Sequence, residues 1–78
     1  MKHARADYDR IQDPENKIGQ DEPVFLLRAT DKCAPKTILF WADLCQKAGN
    51  KEMAEVARDH VVKMLEWQKE NRCKLPDL

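Results

Sequence analysis

Three cysteines and two histidines are the side chains of this sequence best suited to bind a metal or attack a substrate. Cys33, Cys45, Cys73 and His60 offer the thiolate and imidazole ligands of a structural zinc site. They are too widely scattered for a compact zinc knuckle, and no two cysteines form a C-x-x-C motif. His3 lies near the start of the chain, apart from the others. We therefore expect neither a metal nor another cofactor.

A nucleophilic cysteine would also need a base within hydrogen-bonding reach. Cys45 and His60 could approach each other across a pair of helices, but both lie on helix faces whose apolar pattern predicts burial. The sequence contains no serine, no glycine-rich phosphate loop and no H-E-x-x-H motif. The sequence therefore favours a protein that is not an enzyme.

The composition is that of a small, evenly charged chain of 78 residues. Its 14 basic and 14 acidic side chains cancel, so no overall charge attracts nucleic acid or an acidic membrane. The longest apolar run, residues 38–42, is far shorter than the roughly 20 residues of a membrane helix. An odd number of cysteines favours free thiols in a reducing compartment. We expect a cytoplasmic protein with one domain, residues 1–78.

Two helices joined at Gly49 and Asn50 would position most of these side chains. Pro35 suits the first turn of a helix, Gly49 suits its left-handed end, and Asn50 suits the N-cap of the next helix. Neither Gly nor Pro interrupts residues 51–74, so we expect the second helix to continue to residue 74. Residues 35–74 therefore predict an antiparallel helical hairpin and an all-α fold.

Apolar residues at helical spacing predict which side of each helix faces the other. Trp41 and Met64 lie in the middle of these two stripes, so we expect Trp41 to belong to the core. Stripes this wide also leave open the formation of a homodimer. The first stripe comprises Thr37, Trp41, Leu44, Cys45 and Ala48, edged by Ile38 and Phe40, and the second comprises Met53, Val56, Ala57, His60, Met64 and Trp67, edged by Ala54, Val61 and Leu65.

The N-terminal segment, residues 1–34, carries weaker signals. A short helix is expected over residues 2–12 and a loop over residues 13–23. Residues 24–29 fit a buried strand or a buried helical turn equally well. We favour a helix, because Pro23 behind two acids suits a helix start and because no other segment reads as a partner strand. One or two short N-terminal helices would then pack across the hairpin.

Residues 7–32 are harder to explain as scaffold than the hairpin is. The hairpin can cover only one side of residues 24–29, which leaves Phe25 or Leu26 near the surface. Charged side chains around an apolar centre are the usual arrangement of a protein contact site. The candidate partner-binding residues are Tyr8, Asp21, Glu22, Phe25, Leu26 and Arg28.

Three stretches of this sequence are distinctive as a set, namely Tyr8-Asp9-Arg10-Ile11-Gln12-Asp13-Pro14, then Asp21-Glu22-Pro23-Val24-Phe25-Leu26-Leu27-Arg28-Ala29, then Ala34-Pro35 with Phe40-Trp41-Ala42. The set resembles a group of small uncharacterised bacterial and prophage proteins. The resemblance implies a phage or mobile-element setting, in which small proteins often bind and block a host protein, anti-CRISPR proteins among them. It carries no catalytic motif. We predict a non-enzymatic module that binds a bacterial host protein.

A nucleic-acid-associated regulatory protein is the alternative function. Basic side chains recur along the second helix, but acidic ones alternate with them, so no continuous basic stripe results. Nucleic-acid binding would weaken steeply with salt, whereas a largely apolar protein contact would not. The basic residues are Arg58, Lys63, Lys69, Arg72 and Lys74, and the acidic ones are Asp59, Glu66 and Glu70.

Overall fold

Two antiparallel helices contain most of the regular structure. The computed structural model describes the backbone of residues 2–3 and all of residues 13–75. The helices pack against each other as a hairpin, which confirms the predicted all-α class. A parallel strand pairing of two residues on each side accompanies the hairpin and is too short to form a second layer. The elements in chain order are β1 (Lys2–His3), β2 (Pro23–Val24), α1 (Ala34–Lys47) and α2 (Lys51–Glu70).

The corner between α1 and α2 has the predicted chemistry. Gly49 has a φ of 94°, in the left-handed region that glycine adopts without strain. The Asn50 side-chain oxygen accepts a hydrogen bond of 3.1 Å from the Met53 N–H and so caps α2. The Asn50 N–H in turn donates to the Cys45 carbonyl at 2.9 Å. Both helix ends at the corner are therefore bonded within the corner itself.

The second helix ends at Glu70, so the prediction that it continues to residue 74 is wrong. Asn71 has an extended backbone, with φ −133° and ψ 155°. The chain beyond it finds other backbone partners, because the Lys74 N–H donates to the Thr30 carbonyl and the Lys32 N–H donates to the Lys74 carbonyl, both at 3.0 Å. Long-range pairing replaces the last helical turn, which intrinsic propensity could not reveal.

The helix predicted for residues 24–29 is also wrong. Pro23–Val24 is the strand β2, and residues 25–28 follow it without regular structure. Its partner is β1, in which Lys2 lies opposite Pro23 and His3 lies opposite Val24. The expectation that a strand here would have no partner in the chain fails for that reason. Residues 13–33 contain no helix, and the helix expected over 2–12 falls on Lys2–His3, which is a strand, and on residues outside the described part.

The contact between the helices is made mainly by small side chains. Ala42 of α1 meets Ala54 and Ala57 of α2, with Ile38 and Cys45 packed beside them. Alanine lets two helix backbones approach closely, so this row lies at the centre of the hairpin. Among the described residues no large side chain is fully buried. The buried apolar residues are Ala34, Ala42, Ala54, Ala57, Val61 and Met64.

The predicted core is therefore rotated relative to the observed one. Trp41 was expected in the core but is 48% exposed. Ala54 and Val61, expected at the edge of the second stripe, are both buried, Ala54 at the helix contact. Hydrophobic periodicity gives most weight to large side chains, whereas close helix packing selects small ones.

Candidate protein-contact surfaces

One broad side of the hairpin carries a shallow apolar groove of about 360 Å³. Ile38 and Trp41 of α1 line it together with His60 and Met64 of α2. We name this side the Trp41 face. Its defining residues are Thr37, Trp41 and Leu44 on α1 and Met53, Val56, His60, Met64 and Trp67 on α2.

The Trp41 face extends past the groove towards the Gly49 corner. Leu44 lies one turn after Trp41 on α1. On α2, Met53, Val56 and His60 follow one another at spacings of three and four residues, so they share one side of that helix. Each of these apolar side chains is well exposed. None of the defining residues is Asp, Glu, Lys or Arg, but Lys63, three residues after His60 and four before Trp67, lies at the edge of the same side of α2. The face is thus mainly apolar and open, with charge at its edge.

The opposite side of the hairpin, which we name the Arg58 face, is bridged by a polar contact. Arg58 of α2 donates to the Gln46 side-chain oxygen at 2.7 Å and to the Asp43 carboxylate at 2.9 Å, both on α1. Val62 and Leu65 lie beyond this bridge and line a groove with the charged Glu66 and Lys69. This face mixes charge with apolar surface. Its defining residues are Asp43, Gln46, Arg58, Val62, Leu65, Glu66 and Lys69.

The predicted partner-binding residues form a third surface, which we name the Phe25 patch. It consists of Asp21, Glu22, Phe25, Leu26 and Arg28, and all of them are exposed. Phe25 is 66% exposed, the same fraction as Phe40 on the outer side of α1. Phe25 and Leu27 also border the groove of the Trp41 face, so the patch adjoins that face. Tyr8, the remaining predicted site residue, lies outside the described residues.

The backbone that follows the Phe25 patch is fastened to the far end of α2. The Gln68 side-chain N–H group donates to the Ala29 carbonyl at 2.9 Å and to the Asp31 carbonyl at 3.2 Å. The thiol sulfur of Cys73 lies 3.8 Å from the same Ala29 carbonyl. Together with the Lys74 pairing, these bonds hold the segment at residues 29–32, so the patch is presented from a fixed base.

Acidic side chains of the loop before the patch bond to the loop's own backbone. The two carboxylate oxygens of Asp13 accept from the N–H groups of Lys17 and Ile18, each at 2.9 Å. The Glu22 carboxylate accepts from the Gly19 N–H at 3.3 Å. Asn16 supports the turn with a φ of 53°. Asp13 and Glu22 therefore help to shape this loop, which agrees with the predicted loop except at Pro23, where β2 begins.

The structure does not bring the candidate zinc ligands together. Within the described residues no group of three or more His, Cys, Asp or Glu side chains is placed to hold one ion. Cys33 is exposed at the start of α1, whereas Cys45 is half-buried in the helix contact and Cys73 is half-buried beside Ala29. The side chain of His3 is outside the described part.

Sequence reasoning identified the residues of the Trp41 face but assigned them to the core. The stripe of large side chains was real, yet Ala42 of α1 and Ala54 and Ala57 of α2 lay within it or at its edge. Two helices can place only one row at their closest contact. The alanine row Ala42, Ala54 and Ala57 was the signal that could have separated the contact from the open face.

Comparisons of the chain with models of protein families, with curated proteins and with solved structures found no match. Among helices of the described residues, none combines the length and apolarity required to cross a bilayer.

Proposed function

We propose that this protein is a non-enzymatic binding module of a phage or another mobile element, and that it attaches to a bacterial host protein through the Phe25 patch and inhibits or modulates it. The setting follows from the resemblance described for the sequence. The observation that carries the contact is the placement of Phe25, a large aromatic that is 66% exposed and lies in a short exposed segment with the charged Asp21, Glu22 and Arg28.

The surroundings of Phe25 support this role. Residues 29–32 are fixed by hydrogen bonds to Gln68 and Lys74, so little ordering of the backbone beside the patch would be needed on binding. An aromatic side chain presented from an ordered base is typical of the few residues that dominate protein–protein affinity. The charged rim would then select the partner and set the orientation of binding.

Capture from a bacterial host lysate, followed by mass spectrometry and then binding measurements with the purified partner, tests the proposal. Phe25→Ala should weaken binding by at least about tenfold, since removing a central aromatic typically costs more than about 1.4 kcal/mol. Phe40→Ala is the matched control, because Phe40 is equally exposed but lies on the outer side of α1. Full binding by the Phe25 variant, with loss in the Phe40 variant, would contradict the proposal.

A set of charge substitutions tests the rim separately. Asp21→Lys with Arg28→Glu should weaken capture, whereas Glu22→Gln keeps the acceptor that the Gly19 N–H requires and isolates the charge alone. Reversal of the charges of Lys63, Lys69 and Arg72 should have little effect on capture of the partner. If that reversal abolished binding, and if binding fell steeply with salt, the partner would be a nucleic acid instead.

A further inference from the structure

The Trp41 face leaves a group of large apolar side chains about half exposed. The helix contact itself buries mainly alanines, and no large side chain of the described residues is fully covered. Trp41, Leu44, Met53, Val56 and Trp67 are each between 42 and 61% exposed. A helical hairpin with its bulky side chains outside the contact resembles half of a larger core, which is how the subunits of obligate homodimers look when separated.

We propose that the Trp41 face is the interface of a homodimer, in which two hairpins meet face to face as a four-helix bundle. This interface adjoins the Phe25 patch, because Phe25 borders the same groove, but the proposal does not depend on the proposed host partner. A four-helix bundle buries the apolar sides of two helix pairs around one common core. Here that core would be built from the large side chains that each copy leaves exposed.

The exposed area is sufficient for a stable dimer. A large aromatic side chain can bury about 150–250 Å², so the exposed fractions of the five apolar residues, with Thr37 and His60 between them, amount to about 600 Å² per copy. Complete coverage of both copies would bury about 1,200 Å², the lower bound of stable specific interfaces. The dimer therefore requires the two faces to fit closely over their whole extent.

The absence of charge on the defining residues favours a second copy as the occupant. In a two-fold symmetric interface each patch meets itself, so any charged residue near the axis would meet the same charge. At the centre of the Trp41 face this repulsion is small, because Thr37 and His60 are the polar residues there and the charged Lys63 lies at the edge. A symmetric dimer through the Arg58 face would, by contrast, remove Arg58, Glu66 and Lys69 from water and place each near the same residue of the other copy.

Two valines of α2 provide a matched test. Val56 on the Trp41 face is 61% exposed and Val62 on the Arg58 face is 53% exposed, so Val56→Glu and Val62→Glu add the same charge to similar sites. Analytical ultracentrifugation from micromolar to near-millimolar concentration should show a dimer for the wild type and for Val62→Glu, and a monomer for Val56→Glu. Phe40→Ala, on the outer side of α1, should remain dimeric.

A wild type that stays monomeric over the whole concentration range would overturn the proposal, as would dissociation of Val62→Glu alone. If Val56→Glu fails to fold, the milder Val56→Thr decides the question, because it keeps the shape of the side chain and replaces one methyl group with a hydroxyl. The proposal requires a dissociation constant raised severalfold by Val56→Thr, and an unchanged constant would refute it. Circular dichroism confirms that each variant compared is helical.

Discussion

The two broad sides of the hairpin both expose apolar side chains but differ in how much of their surface is apolar and in where their charges lie. The Trp41 face and the Arg58 face each expose a valine of α2 to a similar degree, and each has a shallow apolar groove. On one side Arg58 reaches across to Asp43 and Gln46, while on the other two tryptophans are exposed and the charged Lys63 lies at the edge. The position of charge and the amount of large apolar surface together distinguish a side that suits water from one that suits a partner.

The largest effect is expected at the residue that belongs to both the face and the core. Met64 is 7% exposed, so Met64→Ala should lower the free energy of unfolding by about 2–5 kcal/mol through lost burial and a cavity. Urea denaturation at a protein concentration too low for dimer formation measures the loss within one chain. Met53→Ala is the control, since Met53 is 43% exposed in one chain and its loss should cost clearly less. Equal losses at that concentration would mean that Met53 is covered within one chain.

Trp41→Ala should lower the free energy of unfolding by less than the size of the tryptophan side chain suggests. A buried tryptophan would cost about 3–5 kcal/mol, but half of this side chain is already in water, so about 1.5–2.5 kcal/mol is expected in dilute solution. Dimer formation would make the loss grow with protein concentration. Chemical denaturation at low and high concentration separates the two contributions. A loss above about 4 kcal/mol at the lowest concentration would show that Trp41 is covered within one chain.

Asn50→Ala should lower the stability of the whole hairpin, and so affect both faces alike, because it acts at the corner that joins α1 to α2. Loss of the hydrogen bond from the Met53 N–H should cost about 1 kcal/mol. Asn50→Asp keeps an acceptor at the cap and should be nearly as stable as the wild type. Thermal unfolding followed by circular dichroism measures both variants. An Asn50→Asp variant as unstable as Asn50→Ala would argue against the cap as the cause.

The smallest effect is expected for the polar bridge of the Arg58 face. A double-mutant cycle with Arg58→Ala and Asp43→Ala should give a coupling of about 0.2–1 kcal/mol, since both side chains are largely in solvent. The coupling should fall as salt is added. A coupling well above this range that is insensitive to salt would mean that the bridge holds the helices together. The bridge would then contribute to the fold as well as to the charge of that side.

The sequence was sufficient to predict the hairpin and its corner because these depend on local chemistry. Pro35, Gly49 and Asn50 act within a few residues of themselves, and all three have their predicted places. The rotation of the core was missed because it depends on how closely two backbones approach. The end of α2 was missed because the pairing of Lys74 with Thr30 is a contact between distant parts of the chain.

For the candidate site, the sequence could predict that an apolar side chain near residue 25 stays at the surface, since one element covers only one side of another. Phe25 and Leu26 are both exposed, as that reasoning requires of at least one of them. It could not predict the strand β2, because the partner strand Lys2–His3 has no recognisable strand pattern. Its role in binding remains a proposal that the variants above address.

The bonds from Gln68 and Lys74 to residues 29–32 also impose an order on folding during translation. The N-terminal segment leaves the ribosome first, yet the groups that fasten it are synthesised about forty residues later. Bringing the two segments together closes a long loop, which costs conformational entropy. The hairpin, whose contacts are close in sequence, can assemble as soon as α2 emerges. The Phe25 patch therefore gains its fixed base last, so a newly made chain would acquire its helices before it acquires its binding surface.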